Sequence, residues 1–275
     1  MVSYLSPRVV LGGRLFVDLD AGFAHACALT AVGEAFCWVS NDQGQLGTGD
    51  STSSAQPVAV ATSLRFTSVR TGGSHSCGLL GSGAAYCWGS GAQGQLGTGT
   101  TTGSPAPALV MGNHGFTPID AGAAHTCGIA ANGGAYCWGY NIFGEVGTGQ
   151  LVFQPVPGPS LVVGGHTWHT LSAGNGYTCG ITTESPAYCW GTDADGRLGI
   201  GPVGTPNRHP TPELVAGNEQ FTAIAAGYDQ TCAISGAPDK ALFFCWGRNN
   251  RGQLDGYLGD FLTAASYTPR LVSGF

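Results

Sequence analysis

The sequence predicts an all-β fold, a β-propeller of five blades, and three observations support this prediction. A segment of about 50 residues occurs five times, and its first cysteine recurs after 50, 50, 52 and 53 residues. Each copy contains four short apolar segments, some with the alternation of apolar and polar residues that is typical of strands. Four strands in a repeat of this length form the blade of a propeller, and blades bury their faces against neighbouring blades.

The four segments follow one another in the same order in the repeats. In the second repeat, the proline-led segment 57–60 suits the start of a strand or an edge strand. Segment 66–69 follows, and similar segments occur at the same place in the other repeats. Residues 75–79 then alternate, and residues 85–88 are rich in aromatic side chains, which favour strands. We therefore predict four short antiparallel strands per blade, with the last two segments forming a hairpin.

The hairpin turn follows from the cysteine spacing. If Cys77 faces Cys87, residues 81–83 remain as a three-residue turn, which usually ends on a residue with positive φ. Repeats one to three have glycine at that third place. Repeat four has Ser185 there, before a proline, so we expect a different turn. Repeat five has three extra residues between its cysteines, so we expect a longer loop around residues 238–239.

The repeats occupy the whole chain, so we predict a single propeller domain over residues 1–275, large enough for a sizeable core. The approximate repeats are 7–56, 57–106, 107–156, 157–211 and 212–268, with 269–275 as the first strand of a further repeat. Both ends thus carry the proline-led segment, and a closed ring of five four-stranded blades needs only one copy. We expect a ring with its ends adjacent. The alternatives are an open ring that stacks into a helical assembly and a piece of a longer array.

The ten cysteines form five pairs, one in each repeat. The pairs are Cys27 with Cys37, Cys77 with Cys87, Cys127 with Cys137, Cys179 with Cys189, and Cys232 with Cys245. Opposed residues in a hairpin bring their Cβ atoms near bonding distance, so we predict one disulfide per blade. Free buried thiols and a zinc site are the alternatives, although no Cys-x-x-Cys occurs and the pairs lie in different blades. Disulfides indicate an oxidising compartment.

The repeated residues resemble the repeat of the regulator-of-chromosome-condensation family. In repeat two they are Gly72, His75, Leu79, Gly83, Trp88-Gly89 and Gly94-Gln95-Leu96-Gly97. The resemblance covers nearly the whole chain and implies a propeller that binds other proteins through loops on one face. The family includes an exchange factor for a small nuclear GTPase and the bacterial β-lactamase inhibitor protein II. In kind, the chain resembles the secreted bacterial members such as the latter.

The chain departs from the family pattern in several places. It has five repeats, whereas the family typically has seven blades. Val39 replaces a glycine after the tryptophan of repeat one, and Tyr177 and Gln230 replace the histidine in repeats four and five. No residue of the exchange-factor activity can be transferred to this sequence, so the resemblance does not imply that activity.

Composition and charge exclude several classes of function. Only 9% of the residues are charged, the net charge is −6, and no basic run occurs. Nucleic-acid binding needs a positive footprint, so we predict none. No apolar run of 18 residues occurs, so we expect no membrane insertion. The first residues lack the basic and apolar regions of a signal peptide. The paired cysteines nevertheless predict an extracellular or periplasmic protein.

We predict neither an enzyme nor a metal or cofactor site. No Gly-x-Ser-x-Gly motif occurs, and the Gly-Gln-Leu-Gly-Thr-Gly loops lack the lysine of a phosphate-binding loop. His25, His75 and His125 recur at one position, where a metal ring competes with a simple role in tying strand to loop. Asp193 and Asp195 resemble the start of a calcium loop but lack the downstream glutamate.

The loops that differ between repeats are the candidate interaction sites, because loops on a rigid scaffold often carry function. Repeat two has polar residues where repeats three and five have apolar ones. The candidate residues are Tyr140, Ile142, Phe143, Leu151, Val152 and Phe153 in repeat three, and Tyr257, Leu258, Phe261 and Leu262 in repeat five. Exposed apolar patches mark interaction sites, but a small satellite core under a long loop is the alternative.

These features favour a non-catalytic extracellular module or scaffold that recognises a protein partner through loops on a propeller face. A structural subunit of a surface or filamentous assembly is the first alternative. A lectin with pockets between the blades is the second. The five Cys-Trp tryptophans could offer stacking surfaces for a sugar, but we favour core or inter-blade packing for them, so carbohydrate binding has no independent support.

Overall fold

The computed structural model describes residue 10 and residues 12–202, 207–217, 219–236, 240–254 and 265–272. These residues form five antiparallel sheets of four strands, in which strands that are consecutive in the chain are neighbours. The only helix within them is a short 3-10 turn at Ala194–Gly196, and none of their helices has the length and apolar composition to cross a membrane. The predicted all-β propeller with five four-stranded blades is confirmed.

The first three blades have closely matching strands. Blade one contains β1 (Phe16–Ala21), β2 (His25–Thr30), β3 (Ala35–Val39) and β4 (Ser54–Ala59). Blade two contains β5 (Phe66–Thr71), β6 (His75–Leu80), β7 (Ala85–Gly89) and β8 (Ser104–Leu109). Blade three contains β9 (Phe116–Ala121), β10 (His125–Ala130), β11 (Ala135–Gly139) and β12 (Val156–Leu161).

The last two blades have slightly longer outer strands. Blade four contains β13 (Trp168–Ala173), β14 (Tyr177–Thr182), β15 (Ala187–Thr192) and β16 (Arg208–Leu214). Blade five contains β17 (Phe221–Ala226), β18 (Gln230–Ser235), β19 (Leu242–Arg248) and β20 (Ala265–Leu271). The first strand of each blade lies nearest a central channel. We call the face that carries the loops between first and second strands, and between third and fourth strands, the upper face.

The blades are offset from the sequence repeats by one strand. The proline-led segment of repeat two lies in β4, where it pairs with β3 of blade one. In the same way β20 pairs with β19 and completes blade five. The proline-led segment at the start of the chain lies almost wholly outside the described residues.

The predicted cysteine pairing is confirmed in all five blades. The disulfides join Cys27 to Cys37, Cys77 to Cys87, Cys127 to Cys137, Cys179 to Cys189, and Cys232 to Cys245. Each pair occupies directly opposed positions of the second and third strands, with Cα atoms 4.0–4.1 Å apart. No cysteine of the chain is left as a free thiol, so the alternatives of buried thiols and of a zinc site are wrong.

The hairpin turns agree with the prediction in the first three blades. The turn glycines adopt positive φ, for example +83° at Gly83. The expectation of a different turn in blade four is wrong. Ser185 itself adopts φ +81°, and its N–H bonds to the Thr182 carbonyl as that of Gly83 does to Leu80. The predicted long loop around residues 238–239 lies outside the described residues.

One hydrogen-bonded junction joins each of the first four blades to the next. In the first junction, the carbonyl of Gln45 accepts hydrogen bonds from Trp88 Nε1 at 3.0 Å and from the Ser76 hydroxyl at 2.9 Å. The same arrangement recurs at the carbonyl of Gln95 with Trp138 and Thr126, of Glu145 with Trp190 and Thr178, and of Arg197 with Trp246 and Thr231. The four tryptophans are completely buried. They are therefore core residues, as one of the two sequence interpretations predicts.

The repeated histidines strengthen the same junctions. Nε2 of His25, His75 and His125 lies 2.8–2.9 Å from the hydroxyl of Ser76, Thr126 and Thr178 in the next blade. Each hydroxyl hydrogen is used on the loop carbonyl, so the imidazole donates. The histidines thus tie blade to blade, and the expected tie between strand and loop is wrong. Tyr177 replaces the histidine in blade four and donates its hydroxyl hydrogen to the Gln230 carbonyl at 2.8 Å.

The outward faces of the first and last blades lack this junction in the described residues. Trp38 is only partly buried, unlike its four counterparts, and Ala26 stands where the other blades have a hydroxyl. Leu19 is 63% exposed, whereas its counterpart Val69 is fully buried. In blade five, alternate residues of β18 that face away from blade four are partly exposed. At the channel mouth, however, the rings of Phe23 and Tyr228 stack with their centroids 6.1 Å apart.

Candidate functional site

The loops of blades three, four and five enclose a cleft of about 590 Å³ on the upper face, which we call the upper cleft. Its chemically distinctive lining residues are Tyr140, Phe143, Glu145, Arg197, Arg208, Tyr228, Asp229 and Arg248. It adjoins the mouth of the central channel, which is lined by the first loop of every blade. The loops that differ most from the corresponding loops of the other repeats therefore meet at the upper cleft.

Aromatic residues of blade three form one wall of the cleft. The rings of Tyr140 and Phe143 meet edge to face, with centroids 6.3 Å apart. The guanidinium carbon of Arg208, at the start of β16 in blade four, lies 5.6 Å from the ring centroid of Phe143. It also lies 5.7 Å from that of Phe153. Arg208 therefore brings together two of the predicted interaction residues from separate parts of the loop.

The other predicted interaction residues have mixed positions. Ile142 and Val152 are partly buried, whereas Leu151 is 38% and Phe153 is 72% exposed. The buried core between blades three and four does not include any of the loop residues named in the prediction. Their interaction role remains a prediction. The four residues predicted in repeat five, Tyr257, Leu258, Phe261 and Leu262, lie outside the described residues.

Glu145 lies at the cleft floor at a position that is glutamine in the first two repeats. It is completely buried, and its Oε2 accepts a hydrogen bond from Phe143 N at 2.8 Å. No group within the described residues bonds to its Oε1. Burial raises the pKa of Glu145 to about 7, against an opposing effect of the Arg208 charge. Glu145 is therefore a carboxyl group that changes its charge near neutral pH.

Gln45 shows what this position does elsewhere. Its Oε1 accepts from Gln43 N at 2.9 Å, and its Nε2 donates to the Ser40 hydroxyl at 3.2 Å. Protonated Glu145 has the same shape and the same order of acceptor and donor. Ionised Glu145 has no hydrogen to donate and presents a second acceptor oxygen instead. That oxygen needs a hydrogen-bond donor from another group in the cleft.

Arg197 occupies the equivalent position in blade four and joins blades four and five. Its Nη2 lies 2.8 Å from Asp229 Oδ1, and its Nη1 donates to the carbonyls of Asn175 and Tyr228. Arg248 pairs with the other oxygen of Asp229 at 3.0 Å. Arg197 is only 5% exposed. These contacts satisfy a buried guanidinium and a partly buried carboxylate together, so this part of the cleft wall is structural.

The residues considered as metal ligands have structural partners. Burial lowers the pKa of His25, His75 and His125 to about 4, 3 and 4, so these imidazoles are neutral at pH 7. Asp193 Oδ1 accepts from Leu198 N at 3.0 Å, as Asn41 Oδ1 does from Leu46 N at 2.9 Å. Across the described part of the chain, no three histidine, cysteine or acidic side chains come together in a metal-binding arrangement.

Three important cleft residues escaped the sequence reasoning. Glu145 and Arg197 were detectable, because each replaces the glutamine of the Gly-Gln-Leu-Gly motif with a charged residue. Arg208 has no repeated counterpart that would single it out. Its importance depends on a contact with Phe143, 65 positions earlier in the chain, which no local pattern indicates.

Comparison with known proteins agrees with this geometry. A family model described as the regulator of chromosome condensation (RCC1) repeat matches residues 32–79, 82–129 and 187–234, more than half of the chain. A second model with the same description matches residues 66–95 and 119–145. No sequence among curated proteins matches this chain.

Similar structures include proteins from human, yeast and moss. Human WBSCR16 is 22% identical with a TM-score of 0.80, and the match covers 94% of this chain and 67% of that one. Yeast RCC1 (Prp20), solved with Kap60 bound, is 20% identical with a TM-score of 0.80, covering 95% and 62%. The ectodomain of the Physcomitrella patens receptor kinase CR4 is 25% identical with a TM-score of 0.56, covering 89% and 53%.

The chain spans about two thirds of WBSCR16 and 62% of yeast RCC1. At these identities, the likeness to WBSCR16 and to yeast RCC1 shows the fold alone. The family model is more specific, because it matches the repeat itself in three separate segments of the chain. The protein belongs to the regulator of chromosome condensation (RCC1) repeat family.

Proposed function

We propose that this protein is a non-catalytic binding module of an extracellular or periplasmic compartment, which recognises a protein partner through the upper cleft. The observation that supports this most is the cleft itself. Loops that are polar in blade two are aromatic in blade three, and they meet charged residues of blades four and five there. Aromatic residues and arginine are the residue types enriched in binding hot spots.

The scaffold and the similar proteins fit this proposal. Five disulfides suit an oxidising compartment. Yeast RCC1 (Prp20) has been solved with Kap60 bound, and Prp20p has been studied for its binding to Gsp1p and histones. A propeller of this family thus binds proteins, and we extend that class of function to this chain.

The test compares capture of partners from the native medium by wild-type protein and by two variants. Replacing Phe143 with serine removes the aromatic wall and is expected to weaken capture about tenfold or more, as for a hot-spot aromatic residue. Leu161→Ser is the matched control, because Leu161 is a 56% exposed apolar residue at the opposite end of blade three. It should leave capture unchanged. Equal capture by all three proteins would refute a role for the cleft.

Self-assembly is a second candidate function, favoured by the faces of blades one and five that the described residues leave uncovered. The chain shows four times how one blade covers the next, and a second copy offers the same two faces. We therefore expect that Leu19→Glu, which places a charge on the uncovered face of blade one, abolishes any concentration-dependent association. Analytical ultracentrifugation tests this. A wild-type protein that remains monomeric at high micromolar concentration would eliminate this candidate.

A further inference from the structure

Arg208 is held in a fixed orientation yet has no ionic partner in the described residues. Its guanidinium lies against the rings of Phe143 and Phe153, which orient the group through cation–π contact. No hydrogen bond or ion pair of its side chain occurs in that part of the chain. A guanidinium presents a planar array of donors that fits two oxygen atoms of one anion. Arg208 is therefore prepared to receive an external anion.

The remaining charged groups of the cleft are satisfied within the protein. Arg197 and Arg248 both pair with Asp229, at 2.8 and 3.0 Å. Asp195 lies 3.7 Å from Arg197. These pairs leave two charged or acidic cleft residues, among those described, with unused capacity: the guanidinium of Arg208 has no ionic partner, and Oε1 of Glu145 has no hydrogen bond. The two are coupled, because the charge of Arg208 acts on the ionisation of Glu145.

We propose that the upper cleft binds a carboxylate group of a polypeptide partner through the guanidinium of Arg208, and that protonation of Glu145 strengthens this binding. The proposal rests on the proposed function, since it names the chemistry by which the partner is recognised. Either an acidic side chain or a chain terminus can supply the carboxylate. When Glu145 is protonated, the three arginines and two aspartates that line the cleft leave one net positive charge, which matches a singly charged carboxylate better than a phosphate dianion.

The effect of Glu145 follows from its charge. When Glu145 is ionised, it competes for Arg208 and repels an incoming carboxylate. When it is protonated, it becomes neutral and resembles the glutamine of the sister loops. Its buried Oε1 has no partner within the described residues, and burial outweighs the hydrogen bond from Phe143 N and the charge of Arg208, which favour the ionised form.

Two other cleft-lining groups with shifted pKa values, His125 and Tyr140, do not change charge between pH 6 and pH 8. Burial lowers the pKa of His125 to about 4, and burial raises the pKa of Tyr140 above its usual value. The charged groups that face the cleft are Arg197, Arg208, Arg248, Asp195 and Asp229. The pKa of Glu145 is about 7, so carboxylate affinity should fall about tenfold between pH 6 and pH 8 as Glu145 ionises.

The experiment uses a positional-scanning hexapeptide library on the intact, oxidised protein, with free and amidated carboxyl termini in separate pools. At pH 6 we expect enrichment of Asp or Glu, or of the pool with a free terminus, and the pools distinguish these two sources. Arg208→Gln should reduce affinity for the enriched peptide about 10- to 100-fold, and Arg208→Lys by less, because lysine keeps the charge but loses the fork. Arg65→Gln is the control, since Arg65 is a half-exposed arginine that pairs with Glu34 at 3.4 Å.

Glu145→Gln tests the second part of the proposal. Glutamine imitates the protonated acid, so the variant should bind at pH 8 as tightly as wild type binds at pH 6, with a flat pH profile. A library that enriches no carboxylate, or an enriched peptide that binds Arg208→Gln as tightly as wild type, would overturn the proposal. If Phe143→Ser abolishes partner capture while Arg208→Gln leaves it intact, the binding function stands and this inference fails.

Discussion

Thr126 offers the most direct test of how the blades are joined. Its hydroxyl is completely buried, donates to the Gln95 carbonyl at 2.9 Å, and accepts from His75 Nε2 at 2.9 Å. Thr126→Val keeps the shape of the side chain and removes both hydrogen bonds. The Gln95 carbonyl keeps its bond from Trp138 Nε1, but the His75 donor becomes unsatisfied in a buried site.

The expected cost follows from these contacts. Two neutral hydrogen bonds contribute about 0.5–1.5 kcal/mol each, and an orphaned buried donor costs about 1–3 kcal/mol. The unsatisfied His75 donor belongs to one of the two lost hydrogen bonds, so these two costs overlap in part. We therefore expect Thr126→Val to lower the free energy of unfolding by about 2–4 kcal/mol. For a domain of this size, that corresponds to a fall in Tm of roughly 5–12 °C. Urea unfolding of the oxidised protein, followed by tryptophan fluorescence, measures it.

Ala26 provides a matched control at the equivalent position of blade one. No loop carbonyl within the described residues reaches this position, so Ala26→Thr adds a hydroxyl that gains nothing. We expect its effect on the free energy of unfolding to stay below about 0.5 kcal/mol, as for a surface substitution. If Thr126→Val costs less than about 1 kcal/mol, the junction does not hold the blades together as argued. If Ala26→Thr stabilises the protein strongly, blade five covers blade one after all.

Two further predictions concern the disulfides and acid stability. Mass spectrometry without reduction should find no free thiol. Reduction should lower the Tm without unfolding the chain, because the junctions between blades remain. Each disulfide closes a loop of 10 to 13 residues and contributes somewhat less than about 3 kcal/mol to the free energy of unfolding. The unfolding free energy should fall on acidification below about pH 6.5, because His25, His75 and His125 have folded pKa values of about 4, 3 and 4, and the unfolded chain takes up their protons first. Glu145 and Asp120 act oppositely, since burial raises their pKa values to about 7 and 6. Near pH 5 the unfolded chain therefore binds about one proton more than the folded protein, so the free energy of unfolding should fall by roughly 1.4 kcal/mol for each pH unit of acidification. Urea unfolding at about pH 5 and pH 6 measures this slope. Stability that rises on acidification would contradict the prediction.

The regular part of this fold could be predicted because its physical causes are local and repeated. Alternation over six residues defines a strand, and opposed cysteines at fixed spacing define both the register of the hairpin and its disulfide. Ser185 shows the limit of this reasoning. Glycine is the usual residue at positive φ. The fourth turn nevertheless forms the same backbone hydrogen bond as the turns of the first three blades, with Ser185 at φ +81° in place of the glycine.

Two residues of the sequence indicate the faces of blades one and five that the described residues leave uncovered, but only the structure explains the indication. Ala26 replaces a hydroxyl that accepts from a histidine, and Gln230 replaces that histidine in the blade at the other end. Each substitution alone is an unremarkable departure from the repeat. Once the structure shows that these positions meet across a junction, the two departures fall on the two sides of the same missing contact.

The position shared by Gln45, Glu145 and Arg197 shows how a repeat can carry function without disturbing its own packing. At this position the backbone carbonyl holds the junction, by accepting from the tryptophan and the hydroxyl of the next blade at 2.8–3.0 Å in every case. The side chains of Glu145 and Arg197 instead line the upper cleft. Charge can therefore change there while the junction stays the same. Glu145→Gln should accordingly alter the pH dependence of binding while shifting the Tm at pH 6 by no more than about 2 °C, and a large loss of stability in that variant would show that scaffold and site are not separate.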